Sequence, residues 1–170
     1  MEKEIIIGVD LGGTKIMTGA IDQQGNVIGT PVKVPTEGTR RKEVILDKIM
    51  TSIRQVIRDN DLDPARLQGI GVGATGPLDS DKGLILECPQ LPTLHFFPLR
   101  DALSREFGLP VALNNDANCL ILGEARFGAG RGKQRIAGFT LGTGIGCALV
   151  FDGKIWNGAT GTAGEIWCSP

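Results

Sequence analysis

Apolar, strand-like runs in this chain repeatedly end in glycine-bearing turns, and that placement constrains the fold more than any other feature. Leu11-Gly12-Gly13-Thr14-Lys15 separates two such runs, Gly71-Val72-Gly73-Ala74-Thr75-Gly76 closes another, and Gly142-Thr143-Gly144 joins two more. Glycine accounts for 25 of 170 residues, roughly twice its usual share. There is no G-X-Y period and apolar runs are plentiful, so neither a collagen helix nor a low-complexity disordered chain fits. Glycine here punctuates a packed domain: it lets backbone turn tightly and lets another backbone or a ligand come close.

Between these turns the hydrophobic pattern spells out an element order. Residues 4–10 and 16–22 read as strands around the first glycine turn, and 27–34 as a third strand, which makes a meander. Thr39 is placed to cap a helix over 40–60, where Leu46, Ile49, Met50, Ile53, Val56 and Ile57 recur at helical spacing. Residues 67–74 form a strand that, arriving after a helix, pairs parallel with the meander. An irregular stretch, 75–97, precedes a helix that Pro98 opens at its first position and Gly108 ends. A short strand at 111–113 leads to a helix capped by Asn114 or Asn115 and stopped by Gly128. Strands at 135–141 and 145–151, then a turn at Asp152-Gly153, complete the order βββαβαβα plus a new hairpin. That hairpin reads as the start of a second lobe, so the expected division is 1–128 and 129–170.

Composition excludes several function classes. With 18 basic and 19 acidic side chains the net charge is -1, which argues against an electrostatic nucleic-acid or membrane-surface binder. No apolar run approaches the ~20 residues of a membrane helix. The start lacks the apolar stretch and cleavage site of a secretory signal, so the expected location is cytoplasmic. Cys88, Cys119, Cys147 and Cys168 are widely spaced, with no C-x-x-C pair. They read as buried thiols rather than disulfides or metal ligands.

The candidate sites each carry a plain alternative. Gly8 to Lys15 nearly matches a P-loop, but Thr14 and Lys15 stand in reversed order, and a strand-like run follows where a P-loop has a helix. The turn is therefore a hairpin whose amides can line a phosphate, with Asp10 able to hold magnesium through water. An ordinary hairpin with a surface lysine is the other reading. Gly71 to Gly76 satisfies G-x-G-x-x-G, yet Pro77 and a turn-rich segment follow, which rejects a dinucleotide site. Asp116, in the first turn of its helix, suits accepting a proton from a sugar hydroxyl; a helpful acid near a helix cap is the bland alternative. Gly142-Thr143-Gly144 echoes the first hairpin, and two such turns suggest two related lobes facing one triphosphate.

Together, VDLGGTKI, GVGATGPLD, GLPVALNNDAN, GEARFGAG and LGTGIGCALVFDGKIWNGATGTAGEI resemble the ROK family of sugar kinases and sugar-responsive regulators. The resemblance implies an α/β, actin-like ATPase (ribonuclease H-like) fold: a mixed sheet with flanking helices, and a second lobe that is incomplete, because family members are nearly twice as long. It implies ATP-dependent phosphorylation of a hexose, most simply glucose, with ATP and Mg2+. By resemblance Asp116 is the base, and Asn115, Asp116 and Glu165 bind the sugar. Asp10, Gly12, Gly13, Thr14, Lys15, Gly142, Thr143 and Gly144 frame the nucleotide, with Asp10 supporting magnesium. Sugar and ATP are the expected partners, with self-association as a homodimer or larger and with no nucleic acid or membrane.

The sequence departs from the family pattern in places. Trp167 and Cys168 stand where Gly-His is usual, and the cysteine-rich zinc segment is not reached, so structural zinc is not expected. In the sugar-facing loop Gln90 replaces Asn and Leu94 replaces Trp, while His95, the one histidine, reads as an exposed loop residue. A non-catalytic sugar-binding or regulatory relative and an inactive degenerate fragment are the alternative functions. The helix-turn-helix of the family's repressors would precede the first strand, and the chain begins at that strand.

Overall fold

A computed structural model describes residues 4–141, 145–159 and 163–164. The chain divides into two compact units, Met1–Asn115 and Asp116–Pro170. The sequence-based boundary fell after the helix that opens the second of these.

The first unit is built on a five-stranded sheet in the order β3-β2-β1-β4-β7. Strands β1 (Ile5–Leu11), β2 (Lys15–Ile21) and β3 (Val27–Pro35) form the antiparallel meander. Strand β4 (Leu67–Ala74) pairs parallel with β1, and β7 (Val111–Asn115) parallel with β4. The period-2 pattern sends Ile5, Ile7, Val9 and Leu11 of β1 and Ile70, Val72 and Ala74 of β4 into one core. Helix α1 (Lys42–Asp59) covers it with Ile45, Ile49, Ile53 and Val56, all fully buried. Each such aliphatic side chain contributes about 2 kcal/mol relative to exposure. Ser52 on the same face is also fully buried, where it meets Thr18 of β2.

Helix boundaries differ from expectation in informative ways. Arg41, not Thr39, occupies the cap position of α1, with no side-chain capping bond. Residues 37–40 are instead used in a turn, in which the Arg40 N–H donates to the Glu37 carbonyl. Pro98 sits at the cap of α2 (Leu99–Phe107) rather than at its first helical position, and Gly108 ends α2 in the left-handed conformation, as expected. The irregular stretch contains a two-residue hairpin, β5 (Leu78–Asp79) with β6 (Leu84–Ile85), tied back by Ile85 pairing with Phe97. Strand β7 runs two residues further than expected, through both asparagines.

The second unit starts without a break: β7 ends at Asn115 and α3 (Asp116–Phe127) begins at Asp116. Strands β8 (Arg135–Leu141), β9 (Ile145–Phe151) and β10 (Lys154–Ile155) form its sheet, with the first two as predicted. Helix α3 lies close on one face: a Cβ on Gly138 would fall 2.2 Å from Ile121 Cδ1. The other face carries Phe139, Leu141 and Ile145, which stay exposed at 60%, 82% and 51%. Among the described residues no helix is long and apolar enough to cross a membrane.

Candidate functional site

The carboxyl ends of the three parallel strands bring the predicted residues of the first unit together. Asp10 of β1 stands level with Gly73 of β4, Gly73 with Asn114 of β7, and Ala74 with Asn115. Carboxyl ends are where open α/β sheets present ligand sites, because connecting loops diverge there. Asp10 is exposed, on the sheet face opposite the aliphatic core. Asn115 lies over the turn after β4: a Cβ on Gly76 would sit 3.3 Å from Asn115 Nδ2. Strand β4 is followed by a turn and the β5–β6 hairpin rather than by the helix that a dinucleotide site needs.

The turn between β1 and β2 is a hairpin, as expected, closed by the Gly12 N–H donating to the Lys15 carbonyl at 3.0 Å. Its carbonyls are claimed by the segment just after β3. The Thr36 hydroxyl donates to the Gly12 carbonyl at 2.7 Å, and the Gly38 N–H to the Gly13 carbonyl at 3.3 Å. The Thr36 N–H donates to the Thr14 carbonyl at 2.9 Å. Among the described residues, the amides of Gly13 and Thr14 donate to no protein acceptor. A turn with carbonyls occupied and amides unclaimed presents a positive edge, the arrangement that cradles anions. The side chains of Thr14 and Lys15 are exposed beside it.

Glycine is required where this hairpin meets the rest of the unit. A Cβ on Gly13 would fall 2.7 Å from Gln90 Cβ, and one on Gly38 only 2.3 Å from the Gln90 carbonyl oxygen. Three stretches far apart in sequence thus touch backbone to backbone. Thr36 and Gly38 are themselves anchored to α1, because Lys48 Nζ donates to the Pro35 carbonyl at 2.8 Å and pairs with the Glu37 carboxylate. That pairing, chiefly the hydrogen bond from Lys48, holds the Glu37 carboxyl below the usual carboxylate range.

Other sequence-stated residues have simpler roles. His95 is an exposed loop residue as expected, 3.9 Å from the Glu87 carboxylate, its ring edge-on to Phe96. Leu94, assigned to a sugar-facing loop, is instead fully buried in the aliphatic core. Of the cysteines, Cys88 is buried with its thiol toward the Thr75 carbonyl, whereas Cys119 and Cys147 are only half-buried. Sequence reasoning missed Thr36 altogether.

In the second unit Asp116 is exposed in the first turn of α3, and its Oδ1 accepts the Ala117 N–H at 2.7 Å. Ala163 and Gly164 return to β9, where a Cβ on Gly164 would fall 2.3 Å from the Cys147 carbonyl oxygen. Gly142, Thr143, Gly144, Glu165, Trp167 and Cys168 lie outside the described residues. Among the described residues no group of three or more His, Cys, Asp or Glu is placed to hold a metal.

Known proteins resemble the chain in sequence and in fold. The chain is 37% identical over 166 residues to a glucokinase of Thermotoga maritima, covering 98% of this chain and 50% of that protein. It is 36% identical over 160 residues to an N-acetyl-D-glucosamine kinase of Vibrio atlanticus, covering 94% and 50%. The crystal structure of a ROK family glucokinase from Streptomyces griseus, in complex with glucose and AMPPNP, superposes with TM-score 0.82 at 35% identity. That match covers 95% of this chain and 49% of the other. The chain therefore spans about half the length of the curated relatives it matches. Its mixed sheet with flanking helices is the actin-like ATPase architecture of those kinases. The ROK family profile matches residues 6–167; with nearly the whole chain inside that match, the chain belongs to the ROK family.

Proposed function

We propose that this chain carries the catalytic half of an ATP-dependent hexose kinase acting in the cytoplasm, with glucose as the sugar. The observation that carries the reading is the Gly12–Lys15 hairpin, whose carbonyls are engaged and whose Gly13 and Thr14 amides are unclaimed among the described residues. Gly12, Gly13, Thr14 and Lys15 take the ATP phosphates from one side, and Gly142, Thr143 and Gly144 are assigned to the same nucleotide. Asp10 supports Mg2+ through water, for which one exposed carboxylate at a strand end is chemically suited. Asn115 and Glu165 bind sugar hydroxyls. Asp116 takes the proton from the attacking hydroxyl as its oxygen bonds to the γ-phosphorus and the bond to ADP breaks. Positioning and charge stabilisation account for most of the rate in phosphoryl transfer, which fits a site made of fixed turns and few acids.

ADP release coupled to a sugar panel tests this reading, on this chain and on any longer form. Glucose-dependent turnover supports it. The likeness to an N-acetyl-D-glucosamine kinase makes that sugar the chief competitor, and preferential turnover of it reassigns the substrate. Sugar binding without turnover in both forms overturns the kinase reading in favour of a binding or regulatory relative.

Self-association is part of the proposal. The exposed row of Phe139, Leu141 and Ile145 supports it, since contiguous apolar sheet faces are rarely left to water. Light scattering that returns only monomer at micromolar concentration removes that element.

A further inference from the structure

Thr36 is fully buried, and both of its hydrogen-bond donors are spent on the hairpin. Its hydroxyl donates to the Gly12 carbonyl and its N–H to the Thr14 carbonyl, at 2.7 and 2.9 Å. Two residues on, Gly38 N–H takes the Gly13 carbonyl between them. Three successive carbonyls of the turn are thereby tied to one strand end, which Lys48 fastens to α1 through the Pro35 carbonyl and Glu37. A peptide plane whose oxygen is fixed has its neighbouring N–H fixed with it, because the unit is planar. Carbonyl oxygens free to swing toward a phosphate would repel it; oxygens held by donors cannot.

From this geometry we propose that Thr36 is a positioning residue for nucleotide binding: it turns the Gly12 carbonyl to protein and so leaves the Gly13 amide to phosphate, while Gly38 does the same for the Thr14 amide through the Gly13 carbonyl. The proposal rests on the hairpin being the phosphate site. Thr36 touches no reacting atom; it acts through Gly12 and Thr14. The hydroxyl is the part that a conservative change can remove, since Val matches threonine in shape and Ser keeps the donor.

The experiment compares the full chain with Thr36→Val and Thr36→Ser, in two measurements. Native-state hydrogen exchange follows the Thr36 and Gly38 amides, whose bonds belong to the clamp, and the Gly12 amide, whose bond to Lys15 closes the hairpin the clamp holds. Calorimetric titration with Mg-ATP and, separately, glucose reads ligand affinity. The expected result is exchange at those three amides about tenfold faster in Thr36→Val, within about threefold of wild type in Thr36→Ser, and unchanged in β4. ATP affinity should fall about tenfold in the valine variant and recover in the serine variant, with glucose affinity unmoved. Valine exchange equal to wild type overturns the clamp. Serine behaving like valine, or ATP and glucose weakening together, overturns the positioning role in favour of plain structural packing. Wild-type chain that binds no ATP overturns the phosphate reading, and with it the purpose assigned to Thr36, while the exchange data still decide whether the clamp exists.

Discussion

The buried hydroxyl pair Thr18–Ser52 offers the sharpest energetic test of the first unit. Both residues are fully buried, and their oxygens lie 2.7 Å apart across β2 and α1. Ser52 spends its one hydrogen on the Ile49 carbonyl at 2.8 Å, so Thr18 is the donor in the pair. The two truncations are therefore unequal. Ser52→Ala strands the Thr18 hydroxyl in an aliphatic core, which costs about 1–3 kcal/mol. Thr18→Val removes a donor but leaves Ser52 bonded to Ile49, so it costs less, about 1 kcal/mol. With both changed nothing polar is left unpaired, and the double variant should be more stable than the sum of its parts. Native-state hydrogen exchange of the α1 and β2 amides reads this directly, without assuming that the two units unfold together. The serine change should speed globally exchanging amides about 5- to 160-fold. Exchange from the double variant slower than from Ser52→Ala alone completes the pattern. Equal single effects that simply add would refute the donor assignment and the reasoning from stranded groups.

Asp116→Asn should lower glucose-dependent turnover by about 10²–10⁴-fold while glucose affinity stays within about tenfold, because a general base acts in the transition state; steady-state kinetics with equilibrium titration check this. Asp22 is held below the usual carboxylate range chiefly by the Asn26 side-chain amide, and by the Asn26, Gln24 and Gly25 N–H groups. A depressed carboxyl adds stability above its unfolded pKa and loses it as pH falls through the folded one, so the 22–26 turn should loosen only in acid. Nuclear magnetic resonance titration of the Asn26 amide should show that midpoint below the ordinary aspartate value and lose it in Asp22→Asn. Phe139→Ser with Leu141→Ser should shift light scattering toward monomer with far-ultraviolet dichroism unchanged; unchanged assembly would move the contact elsewhere.

What the sequence revealed depended on whether order came from local pattern or from distant backbone. Strands β4, β8 and β9 were legible to the residue, because alternation ran into glycine turns, or at the start of β4 into the Pro64 turn. The start of α1 was not, because residues 37–40 are drawn into a turn against the hairpin, which no helix-capping rule anticipates. The β5–β6 hairpin escaped notice because two-residue strands carry no periodicity and are held by Ile85 and Leu86 bonding to distant backbone. The first hairpin was legible from its glycines and spacing, and Asp10 was legible as the acid at a strand end, whereas Asn115 entered as a sugar ligand through the family resemblance alone. Thr36 was not, since a threonine after Pro35 and before Glu37 looks like any loop until the hairpin folds onto it.

The meeting of Gly13, Gly38 and Gln90 has an evolutionary consequence. A methyl added at either glycine strikes the same short stretch: 2.7 Å from the Gln90 Cβ for Gly13, and 2.3 Å from the Gln90 carbonyl oxygen for Gly38. Once that stretch has shifted to admit one methyl, the second meets less resistance. Gly13→Ala and Gly38→Ala should thus be markedly less damaging in combination than their separate effects imply. These positions, 25 and 52 residues apart along the chain, then drift through sequence space as one unit rather than three. Among relatives, departures from glycine at 13 or 38 should arrive together with a change in the length or path of the loop at 90.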